Sequence, residues 1–197
     1  MAWREEQVYY WNNLLYVPYH TVRIAGGPFL SLSWDSIEEY LELDPNFFSH
    51  RLWSHSGGIR MPLPRLAAAR VHGNSMINKN VRDGDIIIFQ RGDFDDVGNG
   101  MIVVIEKVGE EEGLGAWALK KLVIERPRSS VRDEHGDEID WDNPLIVLRS
   151  YNLHVSPAQL DPTGQHRVHG IILRRLPRDE ASLVDSALLR QVIEGAE

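Results

Sequence analysis

Short apolar runs separated by turn-forming residues make up the chain from about residue 66 onward. Each run is bounded by Gly, Asp, Asn or Pro and is rich in β-branched and aromatic residues, which is the pattern of β-strands. No helical period lies between the runs, so the sequence predicts an all-β core. The predicted strands are "RLAAARVHG", "DIIIF", "GMIVVIEKV", "GAWALKKLVIE", "PLIVLRS" and "RVHGIILRRL".

The last residues of the chain follow a different period. In "RDEASLVDSALLRQVIEGAE", apolar residues recur at spacings of three and four, which predicts an amphipathic C-terminal helix within 178–197. We expect its apolar face to pack on the sheet or on a second copy, in preference to docking another protein. The predicted stripe is Ala181, Val184, Leu188 and Val192.

The residues before the predicted β domain divide into two segments. Residues 1–25 are predicted to be an N-terminal arm, whose many aromatic residues favour ordered packing on the domain or on a second copy. Residues 26–65 are predicted to be a linker and variable segment, and 66–177 the β domain. Within the linker, "SWDSIEEYLEL" fits neither period cleanly and is either a short helix or an edge strand. The polar segment 126–143 is predicted to be a hairpin tip or long loop with solvated charges.

Composition excludes several classes of function. The 197 residues include no cysteine, which excludes disulfides, a thiolate nucleophile and cysteine-bound metals. A net charge of −8 disfavours direct binding of nucleic acid by a broad basic surface. The sequence has neither a long apolar run nor a signal peptide, so we expect a cytoplasmic protein. No metal or cofactor is implied.

The segment "VHGNSMINKNVRDGDIII" places Ser75 just after a glycine turn. Ser75 is either a turn residue or a nucleophile, and a nucleophilic serine needs a base. His72 lies only three residues before it, and no signature joins the other histidines to an acid. His166 and His169 are interpreted as surface or loop residues rather than metal ligands.

A lysine can act as the base if burial among apolar groups keeps its amine neutral. The strand "AWALKKLVIE" holds Lys120 and Lys121, and period-two alternation puts them on opposite faces. One of the two can therefore face the core, while the other faces water. Lys120 could still be a surface lysine whose stem covers apolar groups.

Four motifs in this order carry a resemblance: "VHGNSMINKNVRDGDIIIF", "ALKKL", "LRSYNLHVSP" and "VHGIIL". Together they resemble the peptidase domain of LexA, the phage CI-type repressors and UmuD, a family of self-cleaving Ser/Lys peptidases with a mainly β fold. The resemblance implies that Ser75 is the nucleophile and Lys120 the general base. It also implies an oxyanion hole made by the backbone N–H groups of Asn74 and Ser75, with Met76 and the turn 82–85 as structural supports.

The resemblance further implies a scissile bond in the chain's own linker, where Ala25-Gly26 has the expected residue types. This pair could equally be a simple turn. Relatives form homodimers, are stimulated by RecA filaments on single-stranded DNA, and act in transcription regulation and the SOS response to DNA damage. The residues before Gly26 are too few for a helix-turn-helix domain, so DNA would be bound only through a fused or partner domain.

The sequence therefore leaves three candidate functions. The first is a self-cleaving peptidase domain of a repressor-type or SOS-response regulator, cutting at Ala25-Gly26. The second is a non-cleaving dimerisation and regulatory module in transcription with the same fold. The third, a peptidase acting on other proteins, is the least favoured, because nothing in the sequence indicates an open cleft or, as leader signal peptidases need, a membrane anchor.

Overall fold

A computed structural model describes residues 7–25, 30–32, 37–47, 65–73, 80–92, 97–108, 115–125, 145–150, 158–159 and 166–195. Within these ranges the chain forms twelve β-strands, two short 3-10 helices and one α-helix. The protein is thus mainly β, as predicted. The strands are β1 Tyr9–Trp11, β2 Leu14–Ala25, β3 Leu30–Leu32, β4 Glu39–Leu43, β5 Leu66–His72, β6 Ile86–Arg91, β7 Ile102–Val108, β8 Gly115–Glu125, β9 Leu145–Arg149, β10 Ala158–Gln159, β11 His166–Leu176 and β12 Ser182–Asp185; the 3-10 helices are Pro45–Phe47 and Arg178–Glu180, and the α-helix is α1 Ser186–Glu194.

All twelve strands belong to one sheet. Ten follow the order β10-β9-β8-β7-β11-β6-β5-β2-β4-β12, while β1 pairs with β2 and β3 with β8. Most neighbours are antiparallel, but β2 runs parallel to β5 and, at its end, to β8. The six strands predicted from apolar runs correspond to β5, β6, β7, β8, β9 and β11.

The central strands are buried on both faces, which explains their unbroken apolar sequences. In β6, Ile86 and Ile88 pack in one cluster with Leu15 and Val17, whereas Ile87 and Phe89 pack in a second cluster on the other face. All four side chains of this run are fully buried. Alternation along the strand therefore divides a continuous apolar run between two cores.

The described part of the predicted arm, from Tyr9 to Ala25, is part of the sheet. Strands β1 and β2 form a hairpin whose turn residues Asn12 and Asn13 both have positive φ, of 49° and 62°. This conformation matches the twist of a two-residue hairpin and favours asparagine. The expected ordered packing of the aromatic residues is seen at Tyr9, Tyr16 and Tyr19, which are all buried.

Of the two structures predicted for "SWDSIEEYLEL", a short helix or an edge strand, its second half forms a strand. Glu39–Leu43 forms β4, which lies between β2 and β12 rather than at the edge of the described sheet. Tyr40 and Leu41 are fully buried on opposite faces. Burial on both faces removes the clean alternation that would have marked a strand in the sequence. The polar segment 126–143 lies outside the described residues.

The C-terminal helix exists but begins later than its sequence suggests. Ser182–Asp185 pairs with β4 as β12, and the Asp185 carboxylate then caps α1 by accepting bonds from the backbone N–H groups of Ala187 (2.8 Å) and Leu188 (3.1 Å). The predicted stripe is therefore wrong: Ala181 and Val184 precede the helix, and Leu188 and Val192 are exposed. The buried face consists of Leu189 and Ile193, packed on Tyr9, Tyr16 and Tyr40.

Candidate active site

Lys120 is a buried lysine inside the described sheet. It lies on β8 between β7 and β9, and only 4% of its surface is exposed. Ala118, two residues earlier on the same face, packs with Ile105 and Leu148 in a small apolar cluster. Lys121, on the opposite face, is only partly buried. The two adjacent lysines thus have different surroundings, and Lys120 is the one enclosed by apolar strands.

Burial lowers the pKa of the Lys120 ammonium below its ordinary value of 10.5. The physical cause is desolvation, which penalises the charged form of the amine. A larger fraction of Lys120 is therefore neutral near physiological pH than for a lysine in water. A neutral amine has the free electron pair that a general base requires.

Ser150 holds the Lys120 amine in place. Lys120 Nζ donates a hydrogen bond of 2.6 Å to Ser150 Oγ, and Ser150 directly follows the last residue of β9. A hydroxyl fixes the direction of the amine without placing a negative charge beside it. Ser150 could not be identified from the sequence, because its contact with Lys120 depends on the register between β8 and β9.

The end of strand β5, which precedes Ser75 in the sequence, is held by contacts to Asp83. Asn74, Ser75 and Met76 lie outside the described residues, but β5 ends at His72, and Gly73 follows with a φ of 92°. The Asp83 carboxylate accepts a 2.8 Å hydrogen bond from the Gly73 N–H and lies 3.0 Å from His72 Nδ1. The Asp83 side chain therefore connects the end of β5 to the turn 82–85.

The turn 82–85 is anchored to two strands. The Val71 N–H donates to the Asp85 carbonyl at 2.8 Å, and the Gly84 N–H donates to the Val71 carbonyl at 2.9 Å. The Asp85 side chain is buried and accepts hydrogen bonds from the Arg82 N–H (2.7 Å) and Arg175 Nη1 (3.0 Å). These contacts connect the turn to β5 and β11.

Strand β2 ends at Ala25, which lies between β5, the strand that precedes Ser75 in the sequence, and β8, the strand that contains Lys120. The Ala25 backbone pairs with His72 of β5, three residues before Ser75, and with Ala118 of β8. Ala118 and Lys120 are about 7 Å apart along β8. Leu30–Leu32 then runs antiparallel to β8, so the chain reverses direction next to this strand. Gly26 lies outside the described residues.

The histidines have surroundings that the sequence did not predict. His166 and His169, interpreted as surface or loop residues, are not in a loop: both lie on β11 with partly exposed side chains, and this strand has a register shift near His169. His169 Nε2 lies 2.8 Å from Glu106 Oε2, and the ring centroids of His169 and Trp117 are 4.0 Å apart. Within the described ranges, no group of three or more histidine, aspartate or glutamate side chains could hold a metal.

His20 is the most deeply buried polar group near these residues. It is 1% exposed, and its Nε2 lies 2.7 Å from Arg91 Nη2. Burial, followed by the positive charges of Arg91 and His169, lowers the pKa of His20 to about 3. The neutral ring therefore accepts a hydrogen bond from the guanidinium.

The backbone of Ala25 thus pairs both with β8, which carries the buried Lys120, and with β5, which precedes Ser75 in the sequence. The chain matches the family model described as peptidase S24-like over residues 19–125, which is more than half of its length. It belongs to this family of serine peptidases, which includes the peptidase domains of LexA, UmuD and the phage repressors. The match includes Ala25, Ser75 and Lys120 and ends before Ser150.

A search of curated proteins finds no match to this chain. No helix in the described part of the chain is both long and apolar enough to cross a membrane.

Proposed function

We propose that this chain is the self-cleaving peptidase domain of a repressor-type or SOS-response regulator. In this proposal Ser75 is the nucleophile, Lys120 is the general base, and the bond that is cut joins Ala25 to Gly26. The observation that carries the proposal is the register of Ala25, which pairs with the strand of Lys120 on one side and the strand leading to Ser75 on the other.

The proposed reaction begins with a proton transfer. Neutral Lys120 removes the hydroxyl proton of Ser75, and Ser75 Oγ attacks the carbonyl carbon of Ala25. The backbone N–H groups of Asn74 and Ser75 stabilise the oxyanion. Lys120 then gives its proton to the Gly26 nitrogen as the peptide bond breaks, leaving an ester between Ala25 and Ser75.

Water completes the reaction. Lys120, neutral again, takes a proton from a water molecule that attacks the ester carbonyl, and this proton passes to Ser75 Oγ as the ester bond breaks. The products are a carboxylate at Ala25 and an amine at Gly26. No metal or cofactor takes part in these steps, because the base is a side chain and the nucleophile a hydroxyl.

Membership of the family supports a proposal for the biological setting. We expect a cytoplasmic homodimer that regulates transcription, with activated RecA on single-stranded DNA promoting the cut by favouring the docked linker. Contact with DNA would be made by a fused or partner domain.

A cleavage assay at two pH values separates this function from a non-cleaving dimerisation module. The purified chain is incubated at pH 7 and near pH 10, with and without activated RecA, and analysed on denaturing gels. Wild type and Lys121→Ala should form the same two fragments, more quickly at high pH, whereas Ser75→Ala and Lys120→Ala should remain intact. A wild-type chain that stays whole under all conditions would support the dimerisation module instead.

A further inference from the structure

Strand β2 is an interior strand of the described sheet. Residues Leu15–Tyr19 pair with β4, and Tyr19–Ala25 pair with β5. In the described pairings, β4 and β12 are joined to the other strands of the sheet through β2. Removing β2 would therefore divide the sheet, which is not expected of a detachable arm.

The side chains of this segment belong to two apolar cores. Leu15, Val17 and Tyr19 pack with β5 and β6 residues such as Ala68 and Ile88. On the opposite face, Tyr9 and Tyr16 pack with Tyr40 and α1. Most of these side chains are less than 5% exposed. Their departure would expose both cores to water, which is unfavourable in proportion to the apolar area exposed.

None of these contacts depends on the peptide bond after Ala25. The backbone ladders and the apolar clusters involve residues up to Ala25 and strands elsewhere in the chain. Hydrolysis of the Ala25-Gly26 bond removes the covalent link but leaves every described contact of β1 and β2 available. The segment then resembles a peptide strand bound between two neighbouring strands of a sheet.

We propose that residues 7–25 remain in the sheet after the cut, so that cleavage produces a nicked two-chain protein instead of releasing an arm. The position of the cut rests on the function proposed above. The new Ala25 carboxylate stays beside β8, in register with Ala118, and the site remains filled by its own product. The nicked protein therefore does not cleave a second chain.

The test makes the cut without using the protein's own activity. A recognition sequence for a site-specific protease is inserted between Gly26 and Gly27 in the Ser75→Ala variant, and the chain is cut with that protease. Denaturing mass spectrometry should show two fragments, while native mass spectrometry and gel filtration should show one species containing both. A fragment ending before Gly27 that separates from the remainder under native conditions would overturn the inference.

Two further variants test whether the buried contacts are responsible for retention. In the nicked protein, Leu15→Ala removes a fully buried side chain and should weaken retention by about 30-fold or more. Tyr10→Ala changes a side chain that is 48% exposed on the neighbouring strand and should leave retention within about threefold. Equal effects of the two changes would contradict retention through the core.

The two proposals fail in different ways. If wild type does not cut itself but the protease-cut variant keeps its fragment, the self-cleavage proposal is wrong and the retention inference stands. If wild type cuts itself and the fragment separates in both preparations, self-cleavage stands and the retention inference is wrong. A nicked wild-type chain that cleaves an uncut Ser75→Ala chain would also contradict the filled site.

Discussion

Lys120 Nζ donates a 2.6 Å hydrogen bond to Ser150 Oγ, across the boundary between two neighbouring strands. A lysine amine has three rotatable donors and a flexible stem, so burial alone does not aim it at a substrate. The bond to Ser150 restricts the amine to one direction while burial lowers its pKa. The two effects together prepare Lys120 to accept a proton.

Replacing Ser150 should slow cleavage without unfolding the protein. Ser150→Ala removes this hydrogen bond and, with it, one constraint on the direction of the amine, which should lower the rate by roughly 10- to 100-fold, because small misplacements of a reacting group are costly. Ser150→Thr keeps the hydroxyl and should retain most of the activity. Cleavage rates measured alongside urea unfolding distinguish this role from a structural one. Equal loss in both variants would contradict it.

Cleavage should accelerate with pH until Lys120 is fully neutral. Below the pKa of Lys120, each pH unit should increase the rate about tenfold, because only the neutral amine can accept the Ser75 proton. The rate should level off at a pH below 10.5, since burial lowers this pKa. Single-turnover rates from pH 6 to 11 test the prediction. A rate independent of pH across this range would exclude Lys120 as the base.

The buried Lys120 amine should lower the free energy of unfolding, although the proposed reaction requires it. Lys120→Met removes a charge that is costly to bury, so it should abolish cleavage yet raise the free energy of unfolding by about 0.5–2 kcal/mol at pH 7. Lys121→Met, on the more exposed face, should change stability by less than about 0.5 kcal/mol. Urea unfolding of both variants provides the comparison. A loss of stability in Lys120→Met would mean that the amine is a net structural contact.

Stability should fall in acid because of His20. Its pKa is about 3 in the folded protein and near 6.5 when unfolded, so between these values the unfolded chain binds the extra proton. The contribution of His20 is therefore fully present above pH 6.5 and lost toward pH 3, at up to about 1.4 kcal/mol per pH unit. His169, whose pKa burial also lowers, acts in the same direction.

The variant His20→Gln isolates this effect. Its side-chain oxygen can still accept a hydrogen bond from Arg91 but does not titrate, so unfolding free energies measured from pH 7 to 4 should vary less than in wild type. Identical pH dependence in the two proteins would show that His20 does not gain a proton on unfolding.

The Asp83 contact should matter more for activity than for stability. Asp83→Ala removes the acceptor of the Gly73 N–H, so the turn before Ser75 loses an anchor and cleavage should slow about tenfold. Because the Asp83 side chain is 55% exposed, the stability loss should stay near 1 kcal/mol or less. Asp179→Ala is the matched control from an exposed 3-10 helix. Equal rates in the two variants would rule out a role for this anchor.

The local pattern predicted the strands that are bounded by turn residues, and the alternation of Lys120 and Lys121 predicted different surroundings for the two lysines. It did not reveal that β2 lies inside the sheet, because an aromatic-rich segment can pack on a domain or belong to it. Nor did it identify Ser150 or the His20–Arg91 contact. Both depend on which strands become neighbours, and no short-range pattern encodes this register.

In the proposed function, Lys120 and Ser75 cut the chain after Ala25. Intact-mass spectrometry of the wild-type chain after incubation near pH 10 addresses it in one experiment. Two masses should appear, one for a fragment ending at Ala25 and one for a fragment starting at Gly26, and neither should appear in Ser75→Ala. Fragments that end at another residue, or that also form in Ser75→Ala, would contradict it.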